Sequence, residues 1–128
     1  VEVTMASGQK QYEMEGEPVT RHLGKLKKAS GKPCYCLFVA PTINDACVSH
    51  FFTLHHLNLA MYGGKSTIIP LPLQIFRKMV EDSYKANYTP NPSHVRRFFE
   101  ASNEYAKTCD SEMDWYEKMK EKALHWLH

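Results

Sequence analysis

Residues 1–18 read VEVTMASGQKQYEMEGEP and combine a strand pattern with a cluster of glutamates. Glu2 lies within a β-branched run that has the composition of a short strand. Pro18 is typical of the first turn of a helix, and three carboxylates crowd just before or at this point: Glu13, Glu15 and Glu17. Such an arrangement can hold a hard cation such as Mg²⁺, which prefers oxygen ligands. The alternative is a solvated acidic loop beside an edge strand.

Composition indicates one globular domain. The 128 residues are 43% hydrophobic, which is enough for a sizeable core. The net charge of +2 is too small to indicate nucleic-acid binding by itself. Positive charge is nevertheless concentrated in one short segment, which suits either a solvated helix face or contact with phosphates: Arg21, Lys25, Lys27, Lys28 and Lys32.

The cysteines and the apolar segments bear on location. Cys34 and Cys36 lie in an apolar run, where buried, reduced thiols are expected, as in a cytosolic protein. No apolar stretch has transmembrane length, so we expect no membrane partner. The sequence starts inside the first strand pattern and without an initiator methionine, which we interpret as a sign that an upstream part is missing.

The order of elements predicts an α/β fold. A helix is expected from about Pro18 to Ala29, ended by Ser30-Gly31, with Val19, Leu23 and Leu26 facing inward. Residues 34–40 (CYCLFVA) form an unbroken apolar run, the pattern of a strand covered on both faces. A second helix is expected from an N-cap at Thr42 to Gly63-Gly64. Residues 66–70 (STIIP) complete a strand–helix–strand–helix–strand order, and right-handed crossovers make such strands parallel.

The rest of the chain is predicted to be helical. Apolar stripes follow at helical spacing, with an Asn/Pro-rich break at residues 87–92 and a last helix starting near Asp110-Ser111. We therefore predict one domain over residues 1–128. Its α/β core spans residues 1–85, and C-terminal helices occupy residues 86–128.

Four segments together resemble a known family. They are VEVT (1–4), SGQKQYEMEGEPVTRH (7–22), CYCLFVAP (34–41) and the helix leading to MYGG (61–64). In this order they resemble the cleavage domain of type IIS restriction endonucleases of the AlwI group, which includes related nicking and heterodimeric enzymes. The likeness covers residues 1–85 well and the two C-terminal helices loosely, and YEMEGEPVTRH is its most specific part. It implies a PD-(D/E)XK nuclease core that lacks its N-terminal half, in a bacterial cytoplasmic enzyme.

The resemblance also implies a set of site residues. The first strand would be the (D/E)-x-K strand, with Glu2 as a metal-binding carboxylate and Glu15 as a further active-site acid, both serving Mg²⁺. The position of the superfamily lysine is Thr4 here. Lys10 reaching in from the loop, or Glu15 acting through a second metal, are the alternatives. The Pro-Asp acid of the motif would precede Val1.

The implied function is Mg²⁺-dependent hydrolysis of double-stranded DNA in a restriction or nicking enzyme. The partner would be a second copy or a different cleavage subunit, and this chain alone is expected not to cut. Arg21, Lys25 and Lys28 would contact DNA or the partner subunit.

Two other interpretations of the residues remain open. One is a non-catalytic interaction module of the same fold, which holds subunits together or touches DNA phosphates. The other is a small-molecule α/β domain with its ligand near residues 40–42 and Pro70, although no glycine-rich loop serves it.

Overall fold

The computed structural model describes residues 1–85 and 91–127. Three strands form one sheet: β1 (Glu2–Val3), β2 (Tyr35–Ala40) and β3 (Thr67–Pro72). The α-helices are α1 (Gly8–Gln11), α2 (Glu17–Ser30), α3 (Asp45–Leu54), α4 (Leu73–Lys85), α5 (Pro92–Thr108) and α6 (Glu112–Leu124). A π-helical segment (Tyr12–Gly16) and a short 3₁₀ helix (Ala60–Tyr62) complete the elements. No helix in the described ranges is long and apolar enough to cross a membrane.

The sheet is parallel, as the sequence predicts. Its order is β1-β2-β3, so β2 is central. Glu2 is in register with Phe38, and Tyr35 with Thr67. The fold is therefore a mixed α/β structure in which a short parallel sheet is surrounded by helices.

Helices cover both faces of β2, which explains its unbroken apolar run. Phe38 packs against Phe51 of α3, with ring centroids 5.1 Å apart. Tyr35 points to the other face and stacks on Phe99 of α5 at 5.0 Å. Val39 is fully buried. The predicted central strand is confirmed, and it begins one residue later than expected.

The first helical region is longer than predicted. One helical path starts at Gly8, ten residues before Pro18, and includes Gln11, Tyr12 and the buried Gly16. Proline lacks the N–H that would bond four residues back, and its ring crowds that carbonyl. The π-helical segment directly before α2 is the wider turn that accommodates such a proline. The glutamate cluster therefore lies on a helix and not in a loop.

Helix α2 ends as expected but buries fewer residues. Gly31 caps it in the left-handed conformation (φ 64°), and its N–H donates to the Lys27 carbonyl. Val19 and Leu23 are buried, as predicted. The prediction for Leu26 is wrong: its side chain is 56% exposed. Fewer side chains of α2 are buried towards its C-terminal end, because Leu26 lines a surface hollow instead of packing under the sheet.

Helix α3 differs at both ends from the prediction. Its N-cap is Asn44 rather than Thr42, and the Asn44 side chain accepts a 2.9 Å hydrogen bond from the Ala46 N–H. The helix ends at Leu54, well before Gly63. The sequence pattern predicts one continuous helix where the structure has α3 and a separate 3₁₀ helix. Met61 of that 3₁₀ helix is exposed.

The C-terminal helices pack onto the same core. Trp115 of α6 is fully buried, and its Nε1–H donates to the Ser102 carbonyl of α5 at 3.1 Å. The predicted start of the last helix is confirmed by Ser111, which caps α6 by accepting a hydrogen bond from Asp114 N–H. Most of the predicted Asn/Pro break, residues 87–90, lies outside the described residues.

Candidate functional site

Glu2 lies over helix α2. It shares a hollow of about 140 Å³ with Val19 and His22 of α2 and with Cys36 of β2. Burial raises the pKa of the Cys36 thiol to about 11, and the negative charge of Glu2 adds to that rise. The carboxylate is thus on the face of the sheet that α2 covers, and it remains exposed to solvent.

Glu15 belongs to the helical path that carries this face. It is half-buried in the π-helical segment, four residues before Val19 and seven before His22. Residues at these spacings lie on one side of a helix. Glu15 does not itself line the hollow that contains Glu2. The expected pairing of Glu2 with Glu15 across a cleft therefore stays a prediction.

Thr4 and Lys10 have different surroundings. The Thr4 N–H extends the pairing of β1 by donating to the Val39 carbonyl at 2.9 Å, and its hydroxyl accepts from the Ala6 N–H at 3.1 Å. Thr4 therefore closes the strand. Lys10 is exposed on α1. Within the described ranges, no hydrogen bond or ion pair holds Lys10 in one place.

A buried glutamine fixes the start of the helical path. Gln11 is fully buried, and its amide N–H groups donate to the carbonyls of Ala6 (3.0 Å) and Thr42 (2.8 Å). Its side-chain oxygen accepts from the Asn44 N–H at 2.7 Å. Gln11 thereby ties the helix that carries Glu15 to the segments that follow β1 and β2.

Glu17 is engaged on another side of the helix. It accepts a 3.4 Å hydrogen bond from the Tyr62 hydroxyl and lies 3.7 Å from the Arg21 guanidinium. His50 of α3 is close by: burial lowers its pKa, and the charge of Glu17 opposes that shift. The Thr20 hydroxyl donates to the Gly16 carbonyl at 2.9 Å, so the ring of His50 donates to Thr20. Glu17 thus links α2 to the 3₁₀ helix, and His50 links α3 to α2 through Thr20.

Three basic residues of α2, Arg21, Lys25 and Lys28, are exposed, as predicted. Lys28 reaches the Met61 carbonyl at 3.0 Å, while Arg21 pairs with Glu17. Lys25 is exposed on the same helix. The contacts of Arg21 and Lys28 each use only some of the N–H donors of the side chain. The remaining donors are available for phosphate or protein.

The carboxylates suit Mg²⁺ in their chemistry, but their number is small. Across residues 1–85 and 91–127, no group of three or more His, Cys, Asp or Glu side chains is arranged to hold a metal ion. Mg²⁺ in phosphate-processing sites commonly takes one or two carboxylates and completes its coordination with water and phosphate oxygens. A site formed by Glu2 and Glu15 therefore stays a prediction.

Two contributions to this region do not follow from the sequence analysis. His22 lines the same hollow as Glu2, and its spacing from Val19 is the signal that places these two residues on one side of α2. Gln11 carries no local signal, because its three hydrogen bonds are to backbone groups elsewhere, two of them more than thirty residues away.

The sequence and the fold both match restriction enzymes. Residues 1–79 match the model of the AlwI restriction endonuclease family. The structure is similar to that of the small subunit of the heterodimeric restriction endonuclease R.BspD6I, with a TM-score of 0.65 and 23% sequence identity. That alignment covers 98% of this chain and 56% of the other, so the chain spans little more than half of that subunit. No functionally curated protein matches the sequence. Because the family match extends over more than half of its residues, the chain belongs to the AlwI restriction endonuclease family.

Proposed function

We propose that this chain is the metal-dependent DNA-cleaving domain of a type IIS restriction or nicking enzyme. The observation that carries the proposal is the position of Glu2, a strand carboxylate that faces helix α2 inside the family-matched segment. Glu15, on the same helical path, is the second acid. The solved relative is a restriction-enzyme subunit, which supports the same class of reaction.

In the proposed site, Glu2 and Glu15 hold Mg²⁺ while water and DNA phosphate oxygens complete its ligands. A bound Mg²⁺ lowers the pKa of a coordinated water and neutralises charge on the leaving oxygen during phosphodiester hydrolysis. The helix keeps Glu15 in place through Gln11, and His22 adds a ring nitrogen beside Glu2. Thr4 supplies no charge to the site, so Lys10 is the proposed cation nearest in sequence.

The proposed partner is a second cleavage subunit, either another copy or a different chain. The solved relative belongs to a heterodimer, which supports such a pairing. β1 is a two-residue strand at one end of the described sheet. Edge strands present backbone groups that can pair with another chain.

A plasmid-nicking assay tests the proposal. The protein as encoded is incubated with supercoiled DNA and Mg²⁺, alone and with its partner subunit. We expect Glu2→Gln and Glu15→Gln each to lower the rate by more than about 100-fold, since removal of outer-shell partners alone costs about 10- to 100-fold. Glu13→Gln, which removes an exposed acid of the same helical path, is the matched control. Nicking that survives both substitutions contradicts the site assignment.

The second candidate is a non-catalytic module that binds DNA or a subunit. It is favoured by the absence, among the described side chains, of a three-ligand metal group. Tight binding to DNA or to the partner with no nicking in any combination would select this alternative.

A further inference from the structure

A second hollow lies next to the hollow that contains Glu2. It measures about 380 Å³ and lies where β2 and β3 begin, with Tyr35 and Thr67 in its wall. Tyr35 lines both hollows, so they are neighbours. We call it the basic hollow, and its lining includes Lys27, Lys65, Lys107, His56, Asn103 and Thr67.

The basic hollow concentrates positive charge. Three lysines line it, and within the described part of the chain no aspartate or glutamate does. The whole protein is nearly balanced, with 16 lysine and arginine residues against 14 acids, so this is a local excess. Lys107 also pairs with Glu104 at 3.3 Å outside the lining, but both side chains are largely exposed and such pairs are weak.

The lining is partly pre-arranged. Lys27 of α2 reaches across to the Lys65 carbonyl, which holds its ammonium group at the start of β3. The Thr67 hydroxyl donates to the Asn103 side-chain oxygen at 3.4 Å. Because that bond engages the oxygen, the NH₂ group of Asn103 remains a donor. Ammonium and amide donors converging on one concavity match the oxygens of a phosphate.

We propose that the basic hollow binds a phosphate group of the DNA backbone. The proposal rests on the proposed DNA-cleaving function and adds a phosphate site beyond the exposed face of α2. Its closeness to the Glu2 hollow lets one bound DNA engage both. Lys65 and Lys107 provide exposed ammonium groups, while Lys27 and Asn103 provide held donors.

The test compares two double variants with the same change in charge. Lys65→Gln with Lys107→Gln removes the two exposed lysines of the hollow. Lys118→Gln with Lys122→Gln removes two lysines of α6 and is the control. Affinity for a short duplex is measured against salt without divalent cations. We expect the slope of log affinity against log salt to shrink by about one to two units in the first variant only. Thermal unfolding confirms that both variants fold.

A second arm identifies the source of the phosphate. Inorganic phosphate is titrated at constant ionic strength while the amide signals of Thr67 and Asn103 are followed by NMR. Suppose that phosphate shifts these amide signals saturably, while the Lys65/Lys107 double variant keeps the salt dependence of duplex binding of the unaltered protein. That result would assign the hollow to free phosphate and overturn the DNA proposal. The DNA proposal is also overturned if the salt dependence of duplex binding is equal in the two double variants, or if the unaltered protein does not bind the duplex. The Glu2→Gln variant distinguishes the two proposals. Loss of nicking with an unchanged salt dependence of duplex binding would show that Glu2 serves cleavage and not the binding of this phosphate.

Discussion

The side-chain oxygen of Gln11 accepts a 2.7 Å hydrogen bond from the backbone N–H of Asn44, 33 residues further along the chain. Asn44 is the N-cap of α3, so one buried amide joins the end of α1 to the start of α3. The helix that carries Glu15 is thereby held in a fixed position relative to the strand ends. This bond is the structural support for the candidate site.

Replacing Gln11 by methionine tests that support. The change keeps the volume but removes the hydrogen bonds of Gln11 to the Asn44 N–H and to the carbonyls of Ala6 and Thr42. We expect the free energy of unfolding to fall by about 1–3 kcal/mol, because each of the three partly buried hydrogen bonds contributes about 0.5–1.5 kcal/mol. Urea unfolding measures the change. Gln9→Met, on the exposed side of α1, is the control and should leave stability nearly unaltered.

Gly24 allows α2 to approach the 3₁₀ turn closely. A Cβ at this position would lie 2.8 Å from Cα of Tyr62. At a helix position where a Cβ meets no other atom, replacing glycine by alanine stabilises the protein by about 1 kcal/mol. For Gly24→Ala we expect the opposite sign, a destabilisation of about 1–3 kcal/mol from overpacking. Thermal unfolding beside Lys25→Ala, an exposed neighbour, measures the difference. A stabilised Gly24→Ala variant would show that the two segments do not touch.

His55 makes stability depend on pH. It is buried between α3, α5 and α6, where its Nδ1 lies 2.7 Å from the Phe51 carbonyl and its Nε2 3.0 Å from the Ser102 hydroxyl. A carbonyl only accepts, so Nδ1 carries the proton in the neutral ring. Burial lowers the pKa of His55 from 6.5 to about 4.

The sign of the effect follows from that shift. Between pH 6.5 and about 4 the unfolded chain binds a proton that the folded chain does not. The contribution of His55 is therefore complete above pH 6.5 and disappears as the pH falls towards 4, amounting to about 3 kcal/mol. Denaturant unfolding at several pH values in this range measures the effect. The free energy of unfolding should change less with pH in His55→Gln than in the unaltered protein. His56→Gln, an exposed neighbour, should keep the original slope; identical slopes in all three proteins contradict the assignment.

The exposed face of α2 is predicted to bind phosphates. Changing Arg21 and Lys25 to alanine should reduce the salt dependence of DNA binding by about one unit for each phosphate that the protein no longer neutralises. Arg77→Ala with Lys78→Ala on α4 removes the same charge from a different surface. If the slope is the same in all three proteins, these α2 cations serve solubility or subunit association.

Local patterns predict much of this fold. The run at residues 34–40 indicates the central strand because a strand covered on both faces has no polar positions. Gly31 marks a helix end because its left-handed backbone favours glycine. The parallel sheet follows from the order of these elements.

The remaining errors arise where distant contacts override local preference. Pro18 predicts a helix start because proline is common there, yet the same residue is tolerated after a π-helical turn. Leu26 has the spacing of a core residue, but it is largely exposed at the rim of the Glu2 hollow. The role of Gln11 depends on partners that no local pattern specifies. The candidate site itself comes from the resemblance in YEMEGEPVTRH more than from spacing.

The most direct test of the central claim, that Glu2 and Glu15 hold one cation, is a titration with Mn²⁺ followed by electron paramagnetic resonance. Mn²⁺ takes the same oxygen ligands as Mg²⁺, and the signal of the free ion reports how much is bound. We expect Glu2→Gln and Glu15→Gln each to weaken binding by at least about tenfold, and Glu13→Gln to leave it unchanged. Binding that is equally tight in all four proteins, or that is absent from the unaltered protein with DNA present, would contradict the account.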